Sequence, residues 1–233
     1  MFNLIKKVVL KFIDLKLKNE FDQMKFDKFN ERPVEYGFVL NTISKYYPKT
    51  VLDVGTGSTA FPHLLRNCGL LVTAVDNIKD YWPSGMHNRH YHIVNDDIVN
   101  TKLTSKYDLI TCISTLEHID NFNKAVENMS KLLNPNGLLI ITFPSSKFDY
   151  VKNCYELNES SYGKGNPYIT QSFSTENIEN WKNKFNLIEL ESEYWQFWTG
   201  KYWTCENQII PPIKTDETGN YQIRCICLKK RDL

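Results

Sequence analysis

Apolar positions along the chain gather into short runs, separated by longer segments with helical spacing. Val51 to Val54, Leu70 to Val75, Tyr91 to Val94, Tyr107 to Cys112, Leu138 to Phe143, Leu187 to Ser192 and Tyr221 to Leu228 each read as a strand. The run from Tyr107 is continuously apolar, the pattern of a strand covered on both faces. Helix signals lie between these runs. Pro33 opens a helix over 33–46, where a first-turn proline gives up no needed amide. Gly69 stops another over 61–68. Asn134-Pro-Asn-Gly137 closes a third over 121–133, and Ser174 or Thr175 caps a fourth that runs to Lys184. Strands alternating with helices predict an α/β fold with a mainly parallel, doubly wound, Rossmann-like sheet.

The first residues have a different pattern. Lys6, Lys7, Lys11, Lys16 and Lys18 are threaded through an apolar run that holds one acid, Asp14. A secretory signal keeps its lysines in front and ends in small residues, so the chain reads as cytoplasmic. No stretch approaches the ~18 apolar residues of a membrane span. The segment suits a lid, a dimer element or a helix resting on a membrane surface. Residues 1–32 are read as an amphipathic arm or lid ahead of one domain over 33–233, which acts as a monomer or homodimer. A long Ser-, Tyr-, Asn- and Gly-rich connection at about 145–172 is read as a substrate-loop insertion.

Charge narrows the partners. There are 28 basic and 27 acidic residues, for a formal net charge of +1. Duplex nucleic acid normally demands a basic excess, so the expected partner is a small molecule and not a nucleic acid. Six cysteines without a CxxC pair read as free thiols.

In a doubly wound sheet, ligands sit beyond the carboxyl ends of the strands. The first strand runs into Asp53-Val-Gly55-Thr-Gly57-Ser-Thr-Ala60, where glycines let the backbone turn tightly. The second ends at Asp76, 21 residues after Gly55, a carboxylate able to accept both hydroxyls of a ribose. The third ends in Asp96-Asp97-Ile98, the fourth in Ile113-Ser114-Thr-Leu-Glu117-His118, and the fifth in Phe143-Pro-Ser145-Ser. The glycine loop also fits G-x-G-x-x-A, the pattern of an NAD-dependent oxidoreductase. Against that reading stand Asp53 inside the strand end and the further acids after the third strand.

The series Val-Leu-Asp53-Val-Gly55-Thr-Gly57, Val-Asp76-Asn77, Asn-Asp-Asp97-Ile98, the run into Glu117-His118 and Leu-Leu-Asn-Pro-Asn-Gly-Leu-Leu-Ile-Ile-Thr resembles the class I S-adenosylmethionine-dependent methyltransferases. One departure is Thr59, where that family often has a third glycine. The resemblance implies seven strands, with the last antiparallel, and S-adenosylmethionine as cofactor. It implies that Gly55 and Gly57 lie under the methionine part, with Asp53 near its ammonium. Asp76 would hold the ribose and Asn77 follow it. Ile78 would cover the adenine, Asp97 accept its amine and Ile98 pack on the ring. Ile113 and Ser114 would line the sulfonium side.

A sulfonium methyl is already activated, so the enzyme must align the acceptor and exclude water. A neutral acceptor also needs a base. His118 is the leading candidate, with Glu117 orienting the acceptor or capping a helix. Arg32, Tyr36, Arg89 and Ser145 are candidate acceptor contacts, with Arg32 a clamp for an anion. Some relatives bind a divalent metal through Glu-x-x-Glu-His; Ser114 occupies the first position, so no metal is expected. Residues 30–36 and 80–92 further resemble methyltransferases of bacterial capsule and surface-polysaccharide pathways. That implies a sugar, nucleotide-sugar or phosphoramidate acceptor. A non-catalytic cofactor-binding partner subunit is the remaining alternative.

Overall fold

The computed structural model describes residues 2–23, 29–57, 59–77 and 92–231. Helix α1 covers Phe2–Gln23, and α2 covers Arg32–Tyr46. Then follow β1 (Thr50–Val54), α3 (Phe61–Asn67), β2 (Leu71–Asp76), β3 (Ile93–Asn95), β4 (Tyr107–Ile113), α4 (Phe122–Leu132), β5 (Leu133–Pro144), α5 (Thr175–Lys184), β6 (Leu187–Trp198), β7 (Gln208–Thr215) and β8 (Ile223–Lys230). The strands form one sheet in the order β3-β2-β1-β4-β5-β8-β6-β7. β3, β2, β1, β4 and β5 run parallel. β8 is antiparallel to both β5 and β6, and β7 is antiparallel to β6.

The sheet therefore has eight strands where seven are expected. The extra one, β7, carries Pro211 and Pro212, and prolines argue against a ladder strand. β7 is tolerated because it lies at the sheet edge and pairs on one side only. The Ile210–Pro211 peptide is cis. A second difference concerns 134–137. The expected turn is drawn into β5 as an irregularity, with Leu133 already paired to Tyr107 and Asn136 at φ 60°.

Strand periodicity sorts the side chains into two layers. Leu52, Val54, Ile110, Cys112, Leu139 and Ile141 face a core shared with α4 and α5. Val51, Leu109, Ile113, Leu138, Ile140, Cys225 and Cys227 face the opposite core, under α2 and α3. α4 buries Ala125, Val126, Met129 and Leu132, which recur at helical spacing. Ser174 caps α5 in a capping box with Asn177, and Trp181 Nε1 of α5 donates to Asn123 Oδ1 at 2.9 Å, tying α5 to α4. The aromatic run at 194–203 is partly core: Phe197 and Trp198 are buried. All six cysteines are free thiols, and five are buried.

Candidate active site

Period-two alternation puts Asp53, Thr111 and Thr142 on the same sheet face as Val51, Leu109 and Ile140, beneath α2. These polar residues come at the carboxyl ends of β1, β4 and β5, where the apolar pattern gives out. Asp53 pairs in register with Thr111, whose hydroxyl donates to Asp53 Oδ1 at 2.7 Å. The Thr56 hydroxyl donates to Oδ2 of the same carboxylate. Burial pushes the Asp53 carboxyl up to about 6, against these two hydrogen bonds.

The loop after β1 turns back over the sheet. The Gly55 amide donates to Val75 O at 2.9 Å, and both glycines adopt positive φ, +71° at Gly55 and +56° at Gly57. A Cβ on Gly55 would lie 2.0 Å from Thr115 Cγ2, so the close approach of the two strand ends also requires glycine. The Gly57 amide donates to Asp76 Oδ2 at 2.6 Å. The acid at the end of β2 and the glycine loop after β1 are thereby one unit. Asn77 follows, exposed. Asp97 caps the short 3-10 turn 98–100, accepting Val99 N at 2.9 Å and Asn100 Nδ2 at 3.2 Å. Ile98 is buried, and its carbonyl accepts Asn128 Nδ2 of α4 at 2.8 Å. Ile78 and Arg89 lie outside the described residues.

At the end of β4 the backbone at Ser114 is strained, with φ +40°. Its amide donates to Thr142 O at 3.0 Å, and its hydroxyl donates to Glu35 Oε1 at 2.6 Å. Glu35, in the first turn of α2, is fully buried and also accepts Thr142 Oγ1 at 2.6 Å. Its other oxygen accepts Arg32 Nη1 at 2.6 Å, and Glu31 lies 3.7 Å from the same nitrogen. Burial alone would lower the Arg32 guanidinium, but Glu35 and Glu31 outweigh it and hold its proton more firmly. Arg32 is thus paired inside the protein, where the sequence suggests a clamp for an anion. Glu35 is the functional candidate that sequence reading misses.

Beyond Ser114, Glu117 is buried, and its Oε2 has no hydrogen-bond partner among the described residues. Burial, then the carboxylates of Glu35 and Glu31, push its carboxyl well above the usual range. His118 Nδ1 lies 2.6 Å from Ile169 O, and its Nε2 is 3.9 Å from Glu117 Oε1. Burial lowers His118, so the ring is neutral at pH 7, with Nδ1–H donating to the carbonyl and Nε2 carrying the lone pair. The connection at 145–172 supplies this wall. Gln171 Nε2 donates to Glu117 O at 3.1 Å and Ile119 O at 2.9 Å, and the Tyr168 ring meets His118 edge-on at 4.8 Å.

Two other acceptor candidates are placed differently from each other. Tyr36 stacks on Phe61 at 4.4 Å and shares a hydrogen bond with Thr59 of the glycine loop. Ser145 is fully buried and donates to Phe173 O at 2.8 Å, so it belongs to the frame of the site and not to its lining. Among the described residues, no group of three or more His, Cys, Asp or Glu side chains is placed to hold a metal.

A family described as "Methyltransferase domain" matches residues 28–193, more than half of the chain. The chain belongs to this methyltransferase family. That membership goes against the oxidoreductase reading of the chain. A ubiquinone biosynthesis O-methyltransferase of Glaesserella parasuis is 26% identical over 121 residues, which cover 47% of this chain and 51% of that protein. The chain spans about half the length of the curated relatives it matches. Among solved structures, the 1,6-didemethyltoxoflavin-N1-methyltransferase of Burkholderia thailandensis, with bound 1,6-didemethyltoxoflavin and S-adenosylhomocysteine, matches at TM-score 0.58 and 16% identity, covering 97% of this chain and 89% of that one. The N-methyltransferase NodS of Bradyrhizobium japonicum, in complex with S-adenosylhomocysteine, matches at TM-score 0.55 and 16% identity, covering 95% and 98%. At those identities the two structures establish the methyltransferase fold.

Proposed function

We propose that this methyltransferase-family protein transfers a methyl group from S-adenosylmethionine to a small polar acceptor. The observation that carries the reading is the joined unit of Asp53, the positive-φ glycine turn and Asp76 at adjacent strand ends. The residues fit the cofactor: Asp53 is a buried carboxyl held by two hydroxyls, and the Gly55 turn leaves no space for a side chain. Asp53 would meet the ammonium, Gly55 and Gly57 the methionine chain, and Asp76 the ribose. Asp97 and Ile98 would meet the adenine, with Ile113 and Ser114 at the sulfonium side. Bound there, the cofactor supplies a methyl already activated for displacement.

The chain's own task is then to hold the acceptor, keep water out and take a proton. His118 Nε2 accepts the proton of a hydroxyl or amine, while the Nδ1–H to Ile169 fixes the tautomer. Glu117 Oε2 offers a hydrogen-bond position beside it. The 145–172 connection, through Tyr168 and Gln171, walls the acceptor. With Arg32 neutralised by Glu35 and Glu31, and the Glu117 carboxyl beside His118, the site suits a neutral or amine acceptor better than an anion. Within the capsule-type classes this favours a sugar or nucleotide-sugar hydroxyl or amine over a phosphoramidate. That pathway assignment rests on the resemblance of residues 30–36 and 80–92 alone. The lone pair on His118 favours an enzyme over a non-catalytic partner subunit.

Titration calorimetry on the purified chain tests the reading. Binding of S-adenosylhomocysteine with no heat from NAD is expected. NAD binding without S-adenosylhomocysteine binding would overturn it.

A further inference from the structure

Over residues 3–19, helix α1 leaves all but one of its apolar side chains in water. Every side chain from Asn3 to Asn19 is exposed except half-buried Leu17, and Leu4, Val8 and Phe12 are 68%, 63% and 61% exposed. At roughly 100° per residue, Leu4, Ile5, Val8, Phe12 and Leu15 form one apolar face over the first four turns, which ends at Asn19 and Asp22. Asn3, Lys7, Lys11, Asp14 and Lys18 form a polar stripe beside it. The rest of the circumference mixes Val9, Leu10, Ile13 and Leu17 with Lys6 and Lys16. Five lysines against one aspartate give residues 2–18 a charge of +4 in a chain of +1, so the remainder carries −3. Glu20 and Asp22 bring the whole helix Phe2–Gln23 to +2, so the basic charge is concentrated in its first 17 residues, where the uncovered apolar side chains lie.

We infer that α1 docks the protein on an anionic lipid surface, lying in the plane of the interface. A second copy of the chain fits the pattern less well. A coiled-coil seam would use Ile5, Val8, Phe12 and Leu15, but its next two positions are Asn19 and Asp22, so it ends after two heptads where three to four are needed. It would also leave Val9, Leu10 and Ile13 in water. A lipid interface accepts these together with the apolar face, while Lys6 and Lys16 extend their ammonium groups to the headgroups. Spanning is not the mode: among the described residues, no helix is long and apolar enough to cross a membrane.

Flotation of the full chain with vesicles tests this. Vesicles of seven parts phosphatidylcholine to three parts phosphatidylglycerol are compared with pure phosphatidylcholine, at low salt. Partitioning to the anionic vesicles should be at least ~10-fold stronger and should weaken several-fold as salt rises to about 0.5 M. The triple variant Lys7→Glu, Lys11→Glu, Lys18→Glu and the double variant Val8→Asp, Phe12→Asp should each lose it. Both should keep the parent's melting curve, since exposed α1 positions support no core. Equal binding to both vesicle types, or binding to neither, would overturn the inference. So would a dimer, seen by light scattering, that the Val8→Asp, Phe12→Asp variant dissociates.

Discussion

The Ser114 hydroxyl donates to Glu35 Oε1 at 2.6 Å across 79 positions of chain. This contact joins the first turn of α2 to the strained residue that follows β4. Glu35 also receives Thr142 and Arg32, so one buried carboxylate satisfies three donors, from α2, the turn after β4, and β5. Its loss leaves a guanidinium and two hydroxyls poorly paired. Glu35→Ala should cost about 2–3 kcal/mol in urea unfolding. Glu35→Gln keeps an acceptor for Ser114 and Thr142 and should cost less. Equal stability of the alanine variant and the parent would show that the carboxylate contributes nothing net.

The turn at Gly55 can be tested separately from Asp53. Gly55→Ala meets Thr115 at 2.0 Å and requires an alanine at φ +71°. Overpacking of about 1–3 kcal/mol adds to a left-handed penalty of about 1–2 kcal/mol. Adding Thr115→Ala should restore part of the overpacking loss and none of the conformational one, because Thr115 Cβ itself stands 2.7 Å away. Thermal or urea unfolding of the single and double variants reads the difference.

The residues that fail to show in the sequence share a physical reason. Asp53, Asp76 and the glycine turn are legible because their spacing along adjacent parallel strands places them together. β7 is hidden because Pro211 and Pro212 read as a break, and only its edge position permits them. Glu35 looks like any acid in a first helical turn, where the helix dipole favours it. Its hydroxyl partners Ser114 and Thr142 lie 79 and 107 residues away, and no local pattern announces them. Arg32 misleads for another reason: its counter-ions Glu31 and Glu35 are neighbours in sequence, but a Glu three residues on reads as an exposed helical pair, and only the fold buries Glu35. Tyr168 and Gln171 sit in a connection whose length marks it as unusual but whose contacts with Glu117 and His118 come only from packing.

The Asp53 carboxyl gives a pH signature. Its ordinary value is 3.8, and burial raises it to about 6 in the folded chain. Folding therefore favours the protonated form, and stability falls as pH rises from about 4 through about 6. At about 1.4 kcal/mol per pH unit between those two values, the loss is at most about 3 kcal/mol. An ammonium bound beside Asp53 favours the opposite, ionised form. Affinity for S-adenosylhomocysteine should thus rise with pH through about 6, as stability without ligand declines. Asp53→Asn should flatten both profiles and weaken binding at about pH 7.5. Calorimetry and unfolding at matched pH values between about 5 and 8 measure the two; a flat affinity profile in the parent would remove Asp53 from the ammonium site.

His118 separates a neutral acceptor from an ionised one. Its ring is neutral at pH 7 because burial lowers its proton affinity, and the hydrogen bond to Ile169 O, which opposes that shift, leaves Nε2 as the basic atom. If Nε2 removes the acceptor's proton, turnover should rise with pH through a midpoint below the ordinary 6.5 and then level. His118→Asn should lower turnover by ~10²–10⁴-fold, with S-adenosylhomocysteine affinity unchanged, because none of the cofactor contacts proposed above involves the imidazole. An acceptor that arrives already ionised needs no base, and the same substitution would then leave the rate nearly intact. Steady-state rates of the two proteins across about pH 5 to 9, with a sugar hydroxyl and a phosphorylated analogue as paired acceptors, distinguish these outcomes. A full loss on both acceptors, accompanied by lost S-adenosylhomocysteine binding, would instead make His118 a support of the post-β4 turn.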